Sequence, residues 1–370
     1  MINRKKVIFL ALLSCFFILI SSVSAADYYV NNGTTHKNIA DWMKKDAKNG
    51  DSLIFNVSRY NLTDTLNISK SITIKSDIKT RISFNKNKDM FDIKTNKITF
   101  SGLVLDYNGQ GSSNIMYGAI STLNASKSNY KQFIVNNTVI NVNKKFASGI
   151  LLGTLQGNII NSTINLKGAN CFGISLVKLT GDLRNTSIRS TGRDSICVYI
   201  GTWSGRVNGS KLINDGTRKS IYTGGFLAVN SKGSIINSEI KSKNSYAVMV
   251  SDNVNVSKSK ITSKKDLSKI YRYRPDLVIF NQIAVSKNTY TIKIYNIGEI
   301  NSKKCTFQLS VGSITRKATV KALKPEKHTS IKITIPSKYV GSRFTKTMKV
   351  DVNNVNKENN KKNNAGKFKF

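Results

Sequence analysis

Three blocks of the chain align without a gap: ILLGTLQGNIINSTINL at 150–166, ISLVKLTGDLRNTSIRS at 174–190 and VYIGTWSGRVNGSKLIN at 198–214. Their starts lie 24 residues apart, and the step recurs in several columns between residues 135 and 256. Val135, Ile159, Leu183 and Val207 form one column, and Ile140, Ile164, Ile188 and Leu212 a second. Gly157, Gly181 and Gly205 keep the same step, as do Asn137, Asn161 and Asn185. A fixed period of this size marks one supersecondary unit stacked on its neighbours. Within each first run the apolar residues sit at i and i+2: Ile150 and Leu152, Ile174 and Leu176, Val198 and Ile200. Leu151, Ser175 and Tyr199 fall between them, which is strand alternation. Gly and Asn punctuate every unit, and no helical stripe survives. Such a unit makes one turn of a parallel β-helix, whose Ile, Val and Leu columns stack into a continuous core at a rung spacing of ~4.8 Å.

The Asn column fits that architecture. Asn137, Asn161, Asn185 and Asn237 each precede the apolar residue of the second run by three. Asn tolerates the left-handed conformation of a sharp bend, and stacked amides can hydrogen-bond from coil to coil. Ten of the asparagines also open an N-x-S/T sequon: Asn32, Asn56, Asn61, Asn67, Asn124, Asn136, Asn161, Asn185, Asn208 and Asn255. These are candidate glycosylation sites, although about eight would arise by chance in a chain so rich in Asn, Ser and Thr. The period breaks once. Leu212 to Ile240 is 28 residues and Ile240 to Ile261 is 21, and the extra residues lie around DGTRKSIYTG at 215–224. Insertions in solenoids map to loops on one face, often the binding face.

The N-terminus has the form of an export signal: Arg4, Lys5 and Lys6, an apolar run over 7–20, then Val23-Ser24-Ala25-Ala26. The apolar run is short for a membrane span, and it continues past Cys15, against a lipid-attachment cysteine. No other segment could cross a membrane, so a secreted, cell-surface-associated location is expected. The net charge of +38 becomes +35 once those three basic residues leave (38 − 3). Inside a cell this would suggest nucleic acid. Outside it, anionic wall polymers or surface glycans are the expected counterpart, with a lysine-rich composition lacking any specific partner as the alternative. Cys171 and Cys197 are 26 apart against a period of 24, about 8 Å in a stacked fold and beyond disulfide reach. Cys305 belongs to another domain, so no disulfide is expected.

The domains expected are a signal peptide at 1–26, an N-terminal cap with a short helix at 27–50, and the β-helix at 51–270. The helix is placed on the amphipathic NIADWMKK at 38–45, covering the open end of the solenoid. After Arg274-Pro275-Asp276 longer alternating runs appear: Phe307, Leu309 and Val311; Ile331, Ile333 and Ile335; Met348, Val350 and Val352. They predict an immunoglobulin-like β-sandwich over 274–352. Residues 353–370 are rich in Asn and Lys, have no sorting motif or hydrophobic anchor, and are expected to be disordered. The fold class is therefore all-β, a right-handed parallel β-helix of about nine coils followed by the sandwich.

Taken together these features resemble the adhesin-like surface proteins of methanogenic archaea. The resemblance lies in the signal, in Trp42 and Asn49-Gly50-Asp51 with Tyr60-Asn61-Leu62-Thr63, and in the Asn-rich coils. The C-terminal module, with Arg274-Pro275-Asp276-Leu277 and Tyr295-Asn296-Ile297-Gly298, is similar to a CARDB domain, a cell-adhesion-related domain of bacterial and archaeal surface proteins. The resemblance implies adhesion or wall association, with partners among wall polymers, surface glycans or other cells. It supplies no catalytic residues.

Parallel β-helices also carry polysaccharide lyases and hydrolases, which need paired carboxylates or bound calcium. The regular coils hold few acids (Asp182, Asp194, Asp215, Glu239 and Asp252), and Asp194 with Asp215 is the nearest approach to a pair. His36 and His328 lie outside the coils, so no Cys–His dyad or Ser–His–Asp triad can be assembled. No catalytic residue, metal site or cofactor is expected, and no nucleic-acid partner. The expected function is a non-catalytic surface adhesin. The alternatives are a carbohydrate-active enzyme on acidic polysaccharide, which would require two acids converging in a groove, and a purely structural envelope component. Candidate ligand-binding residues are outward Tyr199, with Trp203, Arg189, Arg193 and Tyr222 in the same coils or the adjacent insertion. Aromatic rings with guanidinium groups suit a sugar face or an anionic polymer.

Overall fold

The computed structural model describes residues 25–122, 129–217, 224–265, 267–340, 343–358 and 360–368. All but two residues of the expected signal peptide lie outside the described residues, as do Asn124 and Tyr222. From Asp27 to Tyr273 the chain winds into a parallel β-solenoid of about ten turns. A 16-stranded and a 9-stranded sheet enclose one apolar core, and every pairing between their strands is parallel. Long strands such as Ala147–Ile160 and Ile196–Asn208 bend through a corner and supply two faces. Short strands such as Thr163–Leu166 supply the third.

The columns read from the sequence are rungs. Ile150 pairs with Ile174, Ile174 with Val198 and Val198 with Phe226. Ile140, Ile164, Ile188, Leu212, Ile240 and Ile261 form a second stack. At the bend before that stack the backbone is left-handed in every coil from Gly102 onward. Asn137, Asn161, Asn185 and Asn237 have φ between 46° and 49°, Gly209 has 59°, and Lys258 has 47°. The residue after each of these is a hydroxyl: Thr138, Ser162, Thr186, Ser210, Ser238 and Ser259. The backbone N–H of Thr186 donates to the Ser210 hydroxyl, that of Ser210 to Ser238, and that of Ser238 to Ser259. Each hydroxyl returns its proton to a carbonyl two residues back, as Ser162 does to Ile160 at 2.7 Å. The bend thus carries a buried ladder that supplies partners for backbone groups a strand would otherwise pair. Amide ladders are present too. The shortest join Asn85, Asn108 and Asn143, and Asp106, Asn141 and Asn165, with contacts of 2.7–2.8 Å. The left-handed column itself contributes Asn185 to Asn161 at 3.3 Å.

One helix, α1 (His36–Lys45), closes the N-terminal end, starting two residues before the expected segment because Thr35 and Asn38 form a capping box. Its Ile39, Trp42 and Met43 are buried, and Trp42 stacks on Tyr28 at 4.8 Å. At the other end stands an antiparallel sandwich. One sheet holds Leu277–Ser286, Thr289–Asn296 and His328–Thr334. The other holds Cys305–Val311, Ile314–Val320, Lys346–Lys349 and Ala365–Phe368. Leu277, Ile292, Phe307, Leu309, Ile331 and Met348 fill the space between them.

The last strand corrects the expected disordered tail at 353–370. Ala365–Phe368 pairs antiparallel with Lys346–Lys349, and Asn356, Glu358 and Asn364 are buried on the way. Composition misled because these polar residues have internal partners. Asn356 accepts from the Lys303 N–H at 2.7 Å, and Glu358 accepts from the Leu277 N–H at 2.7 Å and from the Asn364 amide at 2.9 Å. The sandwich therefore runs past 352 to Phe368. Cys171, Cys197 and Cys305 are free and buried.

Candidate functional site

The expected ligand patch does not assemble. Tyr199 does project from the 16-stranded sheet, at 36% exposure, edge-on to Phe172 at 6.0 Å. Arg189 lies on the other sheet, paired with Asp215 at 3.1 Å, and Arg193 sits in a turn beside Asp194 at 3.6 Å. Trp203 points inward, with 1% exposure, and packs edge-on to Phe226 at 4.9 Å. It occupies the rung position of Leu155 and Leu179. That column is itself spaced by 24, so the signal for an inward tryptophan was present in the sequence. Its indole Nε1 has no hydrogen-bond partner. Among the candidate glycosylation asparagines, Asn136 and Asn208 are half-buried, while Asn32, Asn56, Asn61, Asn67, Asn161, Asn185 and Asn255 are exposed.

What the fold builds instead is a groove where the solenoid meets the sandwich. Lys178, Thr180, Thr202, Ser204, Asn230 and Lys232 face outward along successive rungs, and Ser251 and Asn253 extend the surface. Ile300 and Asn301 of the C-terminal domain form its far wall, enclosing about 550 Å³. The two units are held in place by specific contacts. The Arg274 guanidinium takes both oxygens of Asp252, at 3.1 and 3.2 Å. The Tyr271 hydroxyl donates to Glu299 at 2.5 Å. Ile300 packs on an apolar strip of Leu227, Met249 and Tyr271 that continues the row of Tyr199. Ammonium and amide groups on a flat sheet, with one apolar wall, suit a polymer that carries hydroxyl and acidic groups.

A second cleft, of about 540 Å³, opens at the N-terminal end, lined by His36, Asp64, Thr65, Asn67, Lys88, Asp89, Asp92 and Tyr117. It lies in the irregular coils, where no column guided the reading. In the regular coils Asp182, Asp194 and Asp215 are each paired with an arginine. Asp92 sits between inward Phe91 and Ile93, so it faces outward, yet it is only 4% exposed. Asp89 accepts from the Gly118 N–H at 2.7 Å and from the Ser121 hydroxyl. Burial, with a smaller push from Asp92, raises the Asp89 carboxyl to about 6. Asp64 is held below its ordinary range by the Lys88 ammonium at 3.0 Å. Among the described residues, no group of three or more His, Cys, Asp and Glu is placed to hold a metal ion.

Residues 274–367 match the CARDB family model, a domain type of cell-surface proteins. The match begins at Arg274 and takes in the strand Ala365–Phe368 through Lys367, in agreement with the extent of the sandwich. No curated protein and no solved structure matches the chain. No described helix is long and apolar enough to cross a membrane.

Proposed function

We propose that this chain is an exported, non-catalytic surface protein of adhesin-like type, related in kind to those of methanogenic archaea. It would hold wall or surface glycans, or other anionic polymers, along the side of its solenoid. The observation that carries the reading is the junction groove, where Lys178 and Lys232 stand on a rigid sheet against Ile300 and Asn301. The CARDB match and the charge of +38 support it. Rigid stacking lets several lysines meet a repeating anion at once without ordering a loop, which lowers the entropic cost of binding.

The test is binding of the exported chain to isolated wall polymers across a salt series. Retention by charge alone fades as the Debye length shrinks below about 10 Å. Binding that persists in high salt, is competed by one glycan and falls roughly tenfold or more in the Lys178→Glu, Lys232→Glu double variant supports a specific groove. Binding unchanged in that variant overturns it. A second reading, a carbohydrate-active enzyme on acidic polysaccharide, draws on the convergence of Asp89 and Asp92. Against it, Asp64 and Asp92 are already engaged by Lys88 and Lys94, at 3.0 and 3.5 Å, so neither stands free as a member of a catalytic pair.

A further inference from the structure

The chain contains four Asn-Gly steps, at Asn32, Asn49, Asn108 and Asn208. At such a step an asparagine can react with its own backbone, because glycine has no side chain to hinder the approach of its amide nitrogen. The reaction has two requirements: the Asn side chain must be free to turn, and the following N–H must be free to lose its proton. The fold locks three of the four steps. Asn49 accepts from the Ser71 N–H at 2.9 Å, and the Gly50 N–H donates to the Ser71 carbonyl at 2.7 Å. Asn108 is held on both sides within an amide ladder, donating to Asn85 and accepting from Asn143, each at 2.8 Å. Asn208 accepts from Asn237 at 3.4 Å, and the Gly209 N–H donates to the Ile236 carbonyl at 3.2 Å. Locked sites can react only when the structure opens locally.

Asn32 differs on both counts. It is exposed, and with Gly33 it forms the turn between the strand Asp27–Val30 and α1. The outer residues of the turn hold it closed: the Thr34 N–H donates to the Asn31 carbonyl at 3.1 Å, and the Asn31 N–H to the Thr34 hydroxyl at 3.0 Å. Among the described residues no hydrogen bond engages the Asn32 side chain or the Gly33 N–H. Nothing lies within 4 Å of a Cβ position on Gly33, so the ring that the reaction forms has room. The turn borders a cleft of about 520 Å³ with no acid on its lining. Its titratable groups are His36 and Lys37 from α1, with Arg59 and Tyr60 from the strand Arg59–Asn61. The cations Lys37 and Arg59 favour the nitrogen anion that must attack.

We propose that Asn32 is a self-modification site of the folded chain. The Gly33 nitrogen gives its proton to solvent and attacks Asn32 Cγ. The N–Cγ bond forms, the Cγ–Nδ2 bond breaks, and Nδ2 takes a proton from solvent and leaves as ammonia. Water then opens the succinimide at one ring carbonyl or the other, leaving an aspartyl or an isoaspartyl carboxylate, and it is the one co-reactant. The product places a negative charge beside Lys37 and Arg59, which favour it. Asn32 also opens a sequon with Thr34, and a glycan would be joined through the same Nδ2. The two fates exclude each other: a glycosylated chain keeps a neutral amide at this corner, and a bare one ages to an anion. The site is independent of the junction groove.

The experiment is peptide mapping by mass spectrometry of the exported chain, made without glycosylation and incubated in heavy-oxygen water at pH 6 and pH 8. Each of the four sites is followed in the folded chain and in denaturing guanidinium chloride, so that every site serves as its own reference. The result expected at Asn32 is uptake of heavy oxygen at nearly the same rate folded and denatured, faster at pH 8 because the attacking amide must lose its proton. Asn49, Asn108 and Asn208 should be slowed about tenfold or more by folding. Gly33→Ala should slow Asn32 severalfold, since a methyl group then crowds the attacking nitrogen. Folding that protects Asn32 as strongly as the other three would overturn the proposal, as would equal reaction of all four sites in the folded chain. In a host that glycosylates the sequon, heavy-oxygen uptake at Asn32 in glycan-bearing chains would overturn the exclusion of one fate by the other. The folded-to-denatured comparison decides the matter on the unsubstituted chain even if Gly33→Ala disturbs the turn.

Discussion

Gly181→Ala tests the stacking of the coils. A Cβ at Gly181 would fall 1.8 Å from the carbonyl oxygen of Gly157 in the neighbouring coil, with the carbonyl carbon at 2.8 Å. Non-bonded carbon and oxygen need more than about 3 Å, so the coils must part by over 1 Å on a rung spacing of ~4.8 Å. Across that gap the Ile159 N–H donates to the Asp182 carbonyl at 3.0 Å, and that bond is stretched or lost. Its φ of 147° is itself strained for a residue with a side chain, at about 1–3 kcal/mol. One or two weakened rung bonds add about 1 kcal/mol each, for a loss of about 2–5 kcal/mol. Gly153 is the matched control, with nothing within 4 Å of its Cβ position. Gly153→Ala should be neutral or stabilise by up to about 1 kcal/mol, through the unfolded chain. Urea unfolding followed by far-ultraviolet circular dichroism measures both. Equal destabilisation by the two alanines would refute the clash, and with it the claim that this glycine column exists to let the rungs close.

Other substitutions probe other layers of the structure. Trp203→Ala should cost about 3–5 kcal/mol as a core truncation, whereas Tyr199→Ala should cost under about 1 kcal/mol, both read from urea midpoints. Lys258 sits in the left-handed bend without the freedom of Gly or Asn, so Lys258→Gly should raise stability by about 0.5–1 kcal/mol in the same assay. Burial lifts the Glu358 carboxyl from 4.5 to about 7, so the folded sandwich holds this proton more tightly than the unfolded chain. Its contribution is full below about pH 4.5 and declines as pH rises to 7, by on the order of 3 kcal/mol, and Glu358→Gln should flatten that slope in pH-dependent melts.

The solenoid was legible because its order is one-dimensional. Ile150, Ile174 and Val198 occupy the same place in successive coils, so a core contact becomes a fixed step along the chain. The sandwich strands were legible by alternation, as in Cys305–Val311, where buried and half-exposed residues strictly alternate. Single residues were harder. The aromatic character of Trp203 marks it as a candidate ligand-binding residue, whereas the strand Ile196–Asn208 shifts its alternation at Gly201 and turns it inward beside Leu179. Residues 353–368 were misread because polar composition does not reveal that Glu358 and Asn364 find each other. The N-terminal cleft was illegible for a different reason. Asp64, Asp89 and Asp92 meet His36 through coils of unequal length and a helix, so no single spacing announces them.

The left-handed bend and its hydroxyl ladder have a consequence for how such a chain can change over time. Each coil satisfies its own bend from the next coil alone, the helix closes the N-terminal end, and the sandwich engages the last few rungs through Ile300. A whole coil inserted or removed leaves every remaining junction of the same kind, and only the distance between the ends is altered, by about 4.8 Å. Length is then a quantity that evolution can adjust in whole steps, carrying the basic groove nearer to or farther from the acidic cleft without redesigning either.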